Sequence, residues 1–131
     1  MTGIGEVLPE LVIEVTPTFV ISTALATRDF QDVHHDPELA RERGSAGIFL
    51  NILTDTGLVS RFVTDWAGPD ALVRRISLRL GVPCHAHETL RLTGRVTGHA
   101  VADGEDRWEV SVVGANSLGD HVTATVWVVR R

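Results

Sequence analysis

The sequence has no tyrosine, one cysteine, one methionine and no surplus of positive charge. Each shortage excludes something. Without tyrosine, no phenol takes part in catalysis or binding. A lone Cys84 cannot close a disulfide within the chain or build a zinc site from several thiolates. Twelve Lys and Arg stand against 17 Asp and Glu, a net charge of −5 with His neutral, so a nucleic-acid partner held through overall positive charge is not expected. The longest stretch without Asp, Glu, Lys or Arg runs from Val15 to Thr27, 13 residues, well short of the roughly 20 that cross a bilayer. Met1 to Glu10 shows neither a basic segment nor an apolar run of the kind that directs secretion, so a cytoplasmic location and no membrane partner are expected. Gly3 and Gly5 lack the third glycine of a dinucleotide loop, and there is no phosphate loop, H-E-x-x-H motif or nucleophile elbow.

What is present suits a compact enzyme-sized unit. The chain has 131 residues, 44% hydrophobic and 22% charged, enough for one core, with no repeat or linker, so residues 1–131 are expected to form a single domain. Pro17 to Ala26, where Phe19 and Ile21 alternate with Thr18, Val20 and Ser22, reads as a strand running into a turn. Asp36-Pro37 opens a short helix, with Asp36 as N-cap and Gly44 as its end. A long helix is expected near Ile48 to Trp66, with Ile48, Ile52, Val59, Phe62, Val63 and Trp66 on one stripe and Gly68-Pro69 as the stop. Alternating strands follow: Val73 to Val82, then runs around Leu90, Leu92 and Val96, around Trp108, Val110 and Val112, and from Val122 to Val129, the last entered through a hairpin at Ser117 to Asp120. One long helix with several antiparallel strands is an α+β pattern. A sheet curled around one helix leaves an edge unpaired, and edges are usually covered, so a dimer is expected.

The chemistry-bearing residues concentrate between Arg28 and Asp36. On a helix Asp29 and His34 would sit about 140° apart, and on a strand they would face opposite sides. They converge only if this stretch is a loop, and a carboxylate and an imidazole meeting at one point can hold and activate a water. The alternative is a set of solvated loop residues; Asp32 and His35 are the nearest competitors for the role. No metal site is expected from the adjacent His34 and His35. His85 and His87 read as a polar H-x-H on one strand face, His99 and His121 as isolated surface residues, and Cys84 as a small buried residue that is no nucleophile. Gly44 to Gly47 precede the long helix, whose first N–H groups could stabilise an oxyanion. Asp55 and Thr56 interrupt the helix's apolar face, either as a polar pair bonded to the sheet or as part of a pocket shared with a partner.

Taken together, Asp29-x4-His34, a short helix, a glycine-containing loop, one long helix and antiparallel strands resemble the MaoC-like (R)-specific enoyl-CoA hydratases. Their motif is G-D-x-N-P-x-H. The Asp and His stand here at Asp29 and His34, while Arg28, Gln31 and Asp32 replace the Gly, Asn and Pro. Where the family's helix start often reads I-A-H-G-M, this chain reads Ile48-Phe49-Leu50-Asn51-Ile52, and Asn116 to Asp120 fits its N-x-x-G-[ED] hairpin. Longer runs, including 23–29, 51–59, 63–69, 78–83 and 118–125, are similar to the small-subunit branch found in actinobacterial cholesterol side-chain hydratases.

The resemblance implies a hot-dog fold, a curved antiparallel sheet wrapped around a central helix. It implies hydration of a steroid enoyl-CoA, with Asp29 and His34 activating the water and the helix start around Asn51 binding the thioester oxygen. No metal or separate cofactor is implied, CoA being part of the substrate. The implied partner is a larger MaoC-like subunit with a DUF35 domain, and through it a thiolase-like aldolase. Two other readings are a hot-dog acyl-CoA thioesterase and a non-catalytic scaffold half of a heteromeric hydratase.

Overall fold

The computed structural model describes residues 2–131. In chain order it contains β1 (Leu11–Glu14), α1 (Pro17–Ala26), a 3₁₀ turn (Asp32–His34), α2 (Pro37–Glu42), α3 (Ile52–Ala67), β2 (Leu72–Leu80), β3 (Thr89–Ala102), β4 (Glu105–Asn116) and β5 (Gly119–Val129). The strands make one antiparallel sheet in the order β1-β3-β4-β5-β2. β3, β4 and β5 are joined by tight hairpins. Asp103 and Gly104 both adopt positive φ, 52° and 74°, as a type I′ turn demands. Asn116 pairs with Gly119 across the second hairpin, at the expected place.

Alternation explains the core. Leu90, Leu92, Val96, Val110, Val112, Val122, Ala124, Val126 and Val128 point inward and are buried. Against them α3 presents Leu58, Val59, Phe62 and Val63, one stripe of a 3.6-residue repeat. The approach is close at Gly94, where a Cβ would lie 2.9 Å from the Phe62 ring and 2.6 Å from the Ser111 carbonyl. Register shifts in the β2–β5, β3–β4 and β4–β5 ladders mark bulges, which add curvature as the sheet folds round α3. The far end of α3 is clamped by Trp66, whose Nε1 donates to Glu6 at 2.6 Å while Arg130 lies over its ring.

Three elements differ from expectation, the first being β1, a strand at Leu11–Glu14 where none is expected. Residues 17–26 are a helix. Thr16 caps it, its hydroxyl accepting from Phe19 N, and Pro17 occupies the first turn; that start signal outweighs the β-branched Thr18, Val20, Ile21 and Thr23. The long helix begins at Ile52 instead of Ile48. Residues 48–50 are extended because Ala86 N donates to Ile48 O and Leu50 N to Cys84 O, each at 3.0 Å. Ile48 and Leu50 are buried and Phe49 between them faces the other way, as in a strand.

Candidate active site

The end of α1 presents Asp29. Thr27 is the C-cap, Arg28 follows at φ 58°, Arg28 N donates to Leu25 O at 3.0 Å and Asp29 N to Ala24 O at 2.9 Å. That pattern is a Schellman motif, and its left-handed position normally belongs to glycine. The chain then turns through Gln31, whose N–H approaches Asp29 Oδ1 at 3.4 Å, into the 3₁₀ turn carrying His34. The loop required by the five-residue spacing is therefore present.

His34 is buried, and its Nδ1 lies 2.8 Å from the Phe49 carbonyl oxygen. A carbonyl only accepts, so Nδ1 carries the proton and donates. In the neutral ring Nε2 then holds the lone pair, directed toward Asp29, 3.4 Å from Oδ2. This separation exceeds a good hydrogen bond and suits two acceptors that share one water. Asp29 keeps 19% of its side chain exposed. The Phe49 ring meets His34 edge-on at 4.9 Å and fixes the imidazole plane.

Of the two competitors, Asp32 is engaged elsewhere, while His35 lies in the groove beside the dyad loop with its buried Nδ1 unpartnered. Asp32 forms a two-pronged ion pair with Arg43, both bonds 2.7 Å, and the Arg43 hydrogen bond holds its carboxyl below the usual carboxylate range. Asp36 caps α2 through Glu38 N and Leu39 N.

Asn51 stands immediately before α3 and is buried. Its side chain turns away from the dyad: Nδ2 donates to Thr27 Oγ1 at 2.8 Å and Oδ1 accepts from the Thr54 hydroxyl. It thus ties α3 to the end of α1 that presents Asp29. No side chain caps α3 among the described residues, so its first N–H groups stay available to a ligand. Leu25, Phe30, Ile52 and Leu53, chain neighbours of the dyad and of this helix start, are 49–64% exposed.

Of the other histidines, His85, His87 and His121 depart from their sequence reading, while His99 lies on the surface as expected. His85 and His87 do not share a strand face: His85 forms an isolated bridge with Phe49 and its Nε2 lies 3.3 Å from Ser45 Oγ, while His87 sits in the following turn at φ 79°. His99 is exposed, bonded to Asp106 and stacked on Trp108. His121 is the larger correction: it is 2% exposed, with Nδ1 2.6 Å from Val82 O and Nε2 2.8 Å from Asp55 Oδ2. Asp55 is therefore the half of the Asp55–Thr56 pair that bonds to the sheet, while the Thr56 hydroxyl returns to Ile52 O. Cys84 is fully buried, as expected, and burial pushes its thiol up to about 11.

No protein-family profile matches the chain. A curated relative does, the 3-oxo-4,17-pregnadiene-20-carboxyl-CoA hydratase beta subunit of Mycobacterium tuberculosis, 64% identical over 126 residues that make up 96% of this chain and 95% of the relative. The chain belongs to the MaoC-like hydratases. Among solved structures, one chain of the ChsH1–ChsH2 complex from M. tuberculosis superposes with a TM-score of 0.93 at 62% identity, covering 100% of both chains. The (R)-hydratase from A. caviae involved in PHA biosynthesis superposes at 0.86 with 18% identity, covering 98% of this chain and 97% of that one, which shows the shared hot-dog fold.

Proposed function

We propose that this chain is the subunit of a heteromeric enoyl-CoA hydratase that carries the water-activating pair, and that it acts on a steroid CoA thioester with a three-carbon unsaturated side chain. The observation that carries the chemistry is the convergence of Asp29 and His34 with the His34 tautomer set by Phe49 O. The name of the M. tuberculosis relative supports the substrate class.

The proposed reaction adds water across the α,β double bond of the thioester. One water donates one hydrogen to Asp29 and the other to the Nε2 lone pair of His34, leaving its oxygen lone pair toward the β-carbon. Asp29 acts as base as the C–O bond forms, and His34 positions the water and helps carry the proton. The π electrons move to the α-carbon and thioester oxygen as an enolate. The free N–H groups at the start of α3, next to Asn51, stabilise that oxygen. The proton taken from water then closes the α C–H bond. No oxidation state changes overall, so the proposed reaction calls for no resident cofactor beyond the CoA of the substrate.

The partner is proposed on two observations. β2 is a nine-residue strand paired only with β5, so its outer edge is open to another chain. The cavity beside the dyad loop, about 420 Å³, is lined by Phe30, Gln31, Asp32, Val33, His35 and Arg43; an ion pair in its wall suits a fused apolar ring system poorly. A larger MaoC-like subunit with a DUF35 domain would supply the steroid wall and cover the apolar side chains around Asp29, and a thiolase-like aldolase would follow through it. The proposal treats residues 1–131 as one cytoplasmic domain; no helix among the described residues is long and apolar enough to cross a membrane.

The test is hydration by the co-expressed complex. With a steroid enoyl-CoA, the conjugated-thioester absorbance should fall, the product should gain one water, and no free thiol should appear. Asp29→Ala should abolish the change. Thiol release would turn the reading to a thioesterase, and activity indifferent to Asp29 would make this chain a scaffold.

A further inference from the structure

The first turn of α3 is held in an unusual way. Ile52 and Leu53 are half-exposed, so neither anchors the turn by apolar burial. Asn51 bonds to Thr54 and ties the turn to Thr27 of α1, and the anchor of the turn to the sheet is Asp55. Asp55 is fully buried and reaches His121 at 2.8 Å, a residue 66 positions away in the chain.

His121 is placed for this by a bulge. Gly114 pairs with Val122 and Ala115 with Asp120, leaving His121 as the extra residue of β5. Strict alternation would send it to the outer face with Thr123 and Thr125; the bulge turns it inward. Gly81 N donates to His121 O at 2.7 Å, and a side chain at Gly81 would put its Cβ 2.3 Å from Asp120 O, so the β2–β3 connection is pressed against the bulge. Both ring nitrogens face oxygens that accept, the carboxylate of Asp55 and the carbonyl of Val82.

The same connection meets the proposed reaction centre. Its residues 84–86 bond to residues 48–50, and Phe49 O in that segment holds Nδ1 of His34. One buried pair therefore joins the start of α3, the bulge in β5 and the β2–β3 connection, which in turn bonds to the segment that sets the His34 tautomer.

We propose that Asp55 and His121 are positioning residues for hydration: their hydrogen bond fixes the first turn of α3, with its free N–H groups, relative to Asp29 and His34. This rests on the hydratase reading above. Apolar residues could fill the same space, and buried ion pairs often give way to them without loss of stability. What apolar packing lacks is direction. A misplacement of about 1 Å between reacting groups lowers turnover about a hundredfold.

The complex with its partner is the test object, with a steroid enoyl-CoA. Asp55→Asn keeps the geometry, its Nδ2–H donating to Nε2 of a neutral His121, and should retain activity within about threefold, because neutral and charged hydrogen bonds here fix the same atoms. The double variant Asp55→Leu with His121→Phe leaves no orphan charge. It should assemble yet lose about a hundredfold in kcat with KM little changed. Wild-type kcat in the double variant would overturn the proposal, as would a loss in Asp55→Asn equal to that of the double variant. If the double variant does not fold or assemble by circular dichroism and co-elution, His121→Gln decides. The amide of that variant can satisfy Asp55 or Val82 but not both, so kcat should fall about tenfold at constant KM; an unchanged kcat overturns the proposal. A wild-type complex that adds no water overturns the hydratase reading itself, an outcome visible before any variant is compared.

Discussion

The chain contains two Asp–His pairs built from the same side chains to opposite ends. Asp29 and His34 lie five residues apart in one loop, 3.4 Å from each other, with Asp29 partly exposed. Asp55 and His121 lie on different elements, 2.8 Å apart, and both are sealed from solvent. In the first pair one imidazole nitrogen is committed to a carbonyl and the other keeps a lone pair. In the second both nitrogens are committed. An imidazole with a free lone pair beside a reachable carboxylate can exchange protons with a water, whereas one bonded at both ends can only hold a position. Exposure and the second hydrogen bond, not residue type, separate the pair proposed for the chemistry from the pair proposed to hold position.

The sharpest way to break this comparison is to remove charge from the open pair. Asp29→Asn should lower kcat by about 10²–10⁴, the range of a positioned general base, while melting by circular dichroism stays near wild type because that carboxylate is partly solvated. The same substitution in the sealed pair should do the reverse: Asp55→Asn should spare turnover. A harsher single change, Asp55→Leu, leaves His121 without its acceptor in a dry site. It should destabilise the chain by about 3–5 kcal/mol, read as a drop of roughly 10 °C or more in Tm. Equal thermal responses to Asp29→Leu and Asp55→Leu would erase the distinction.

The two pairs are not equally legible in the sequence. Asp29 and His34 are local, so spacing alone shows that they meet only in a loop, and the loop is there. Asp55 is visible as a polar break in the α3 stripe, but its partner is not, because His121 occupies an outward position by alternation and only the bulge turns it in. Pairing that depends on one extra residue in a ladder leaves no periodic trace. α1 misleads for a different reason. Its β-branched residues favour a strand, yet Thr16-Pro17 is the same kind of start signal as Asp36-Pro37, which does read as a helix. The late start of α3 is a tertiary effect: residues 48–50 pair with 84–86, a contact that no local pattern announces. The sheet itself is readable because its inward residues alternate through β4, through β3 as far as the bulge after Val96, and through most of β5.

A pH series sharpens the comparison further. Burial pulls the His121 pKa down, but the hydrogen bond and charge of Asp55 and the Val82 carbonyl together raise it above its ordinary 6.5. A group whose pKa is higher in the folded state stabilises that state fully below its unfolded pKa. The contribution fades as pH rises through the folded value. The Tm advantage of wild type over Asp55→Asn should therefore be largest below pH 6.5 and shrink steadily above it. Cys84, held as a thiol up to about 11, adds no charge to the site over that range. An advantage that grows with pH would mean that the pair does not hold the imidazolium.

The smallest effect concerns the residue beside the open pair. Arg28 holds φ 58° where the Schellman motif favours glycine. A left-handed backbone costs an L residue about 1–2 kcal/mol, and the greater freedom of glycine in the unfolded chain offsets about 0.4–1 kcal/mol of any relief. Arg28→Gly should thus stabilise the chain by between about 0 and about 1.6 kcal/mol, a rise of at most several degrees in Tm. The loop hydrogen bonds Arg28 N to Leu25 O and Asp29 N to Ala24 O survive the change, so Asp29 should remain in register with His34. A fall in Tm would show that the exposed Arg28 side chain stabilises the fold by more than its backbone strain removes.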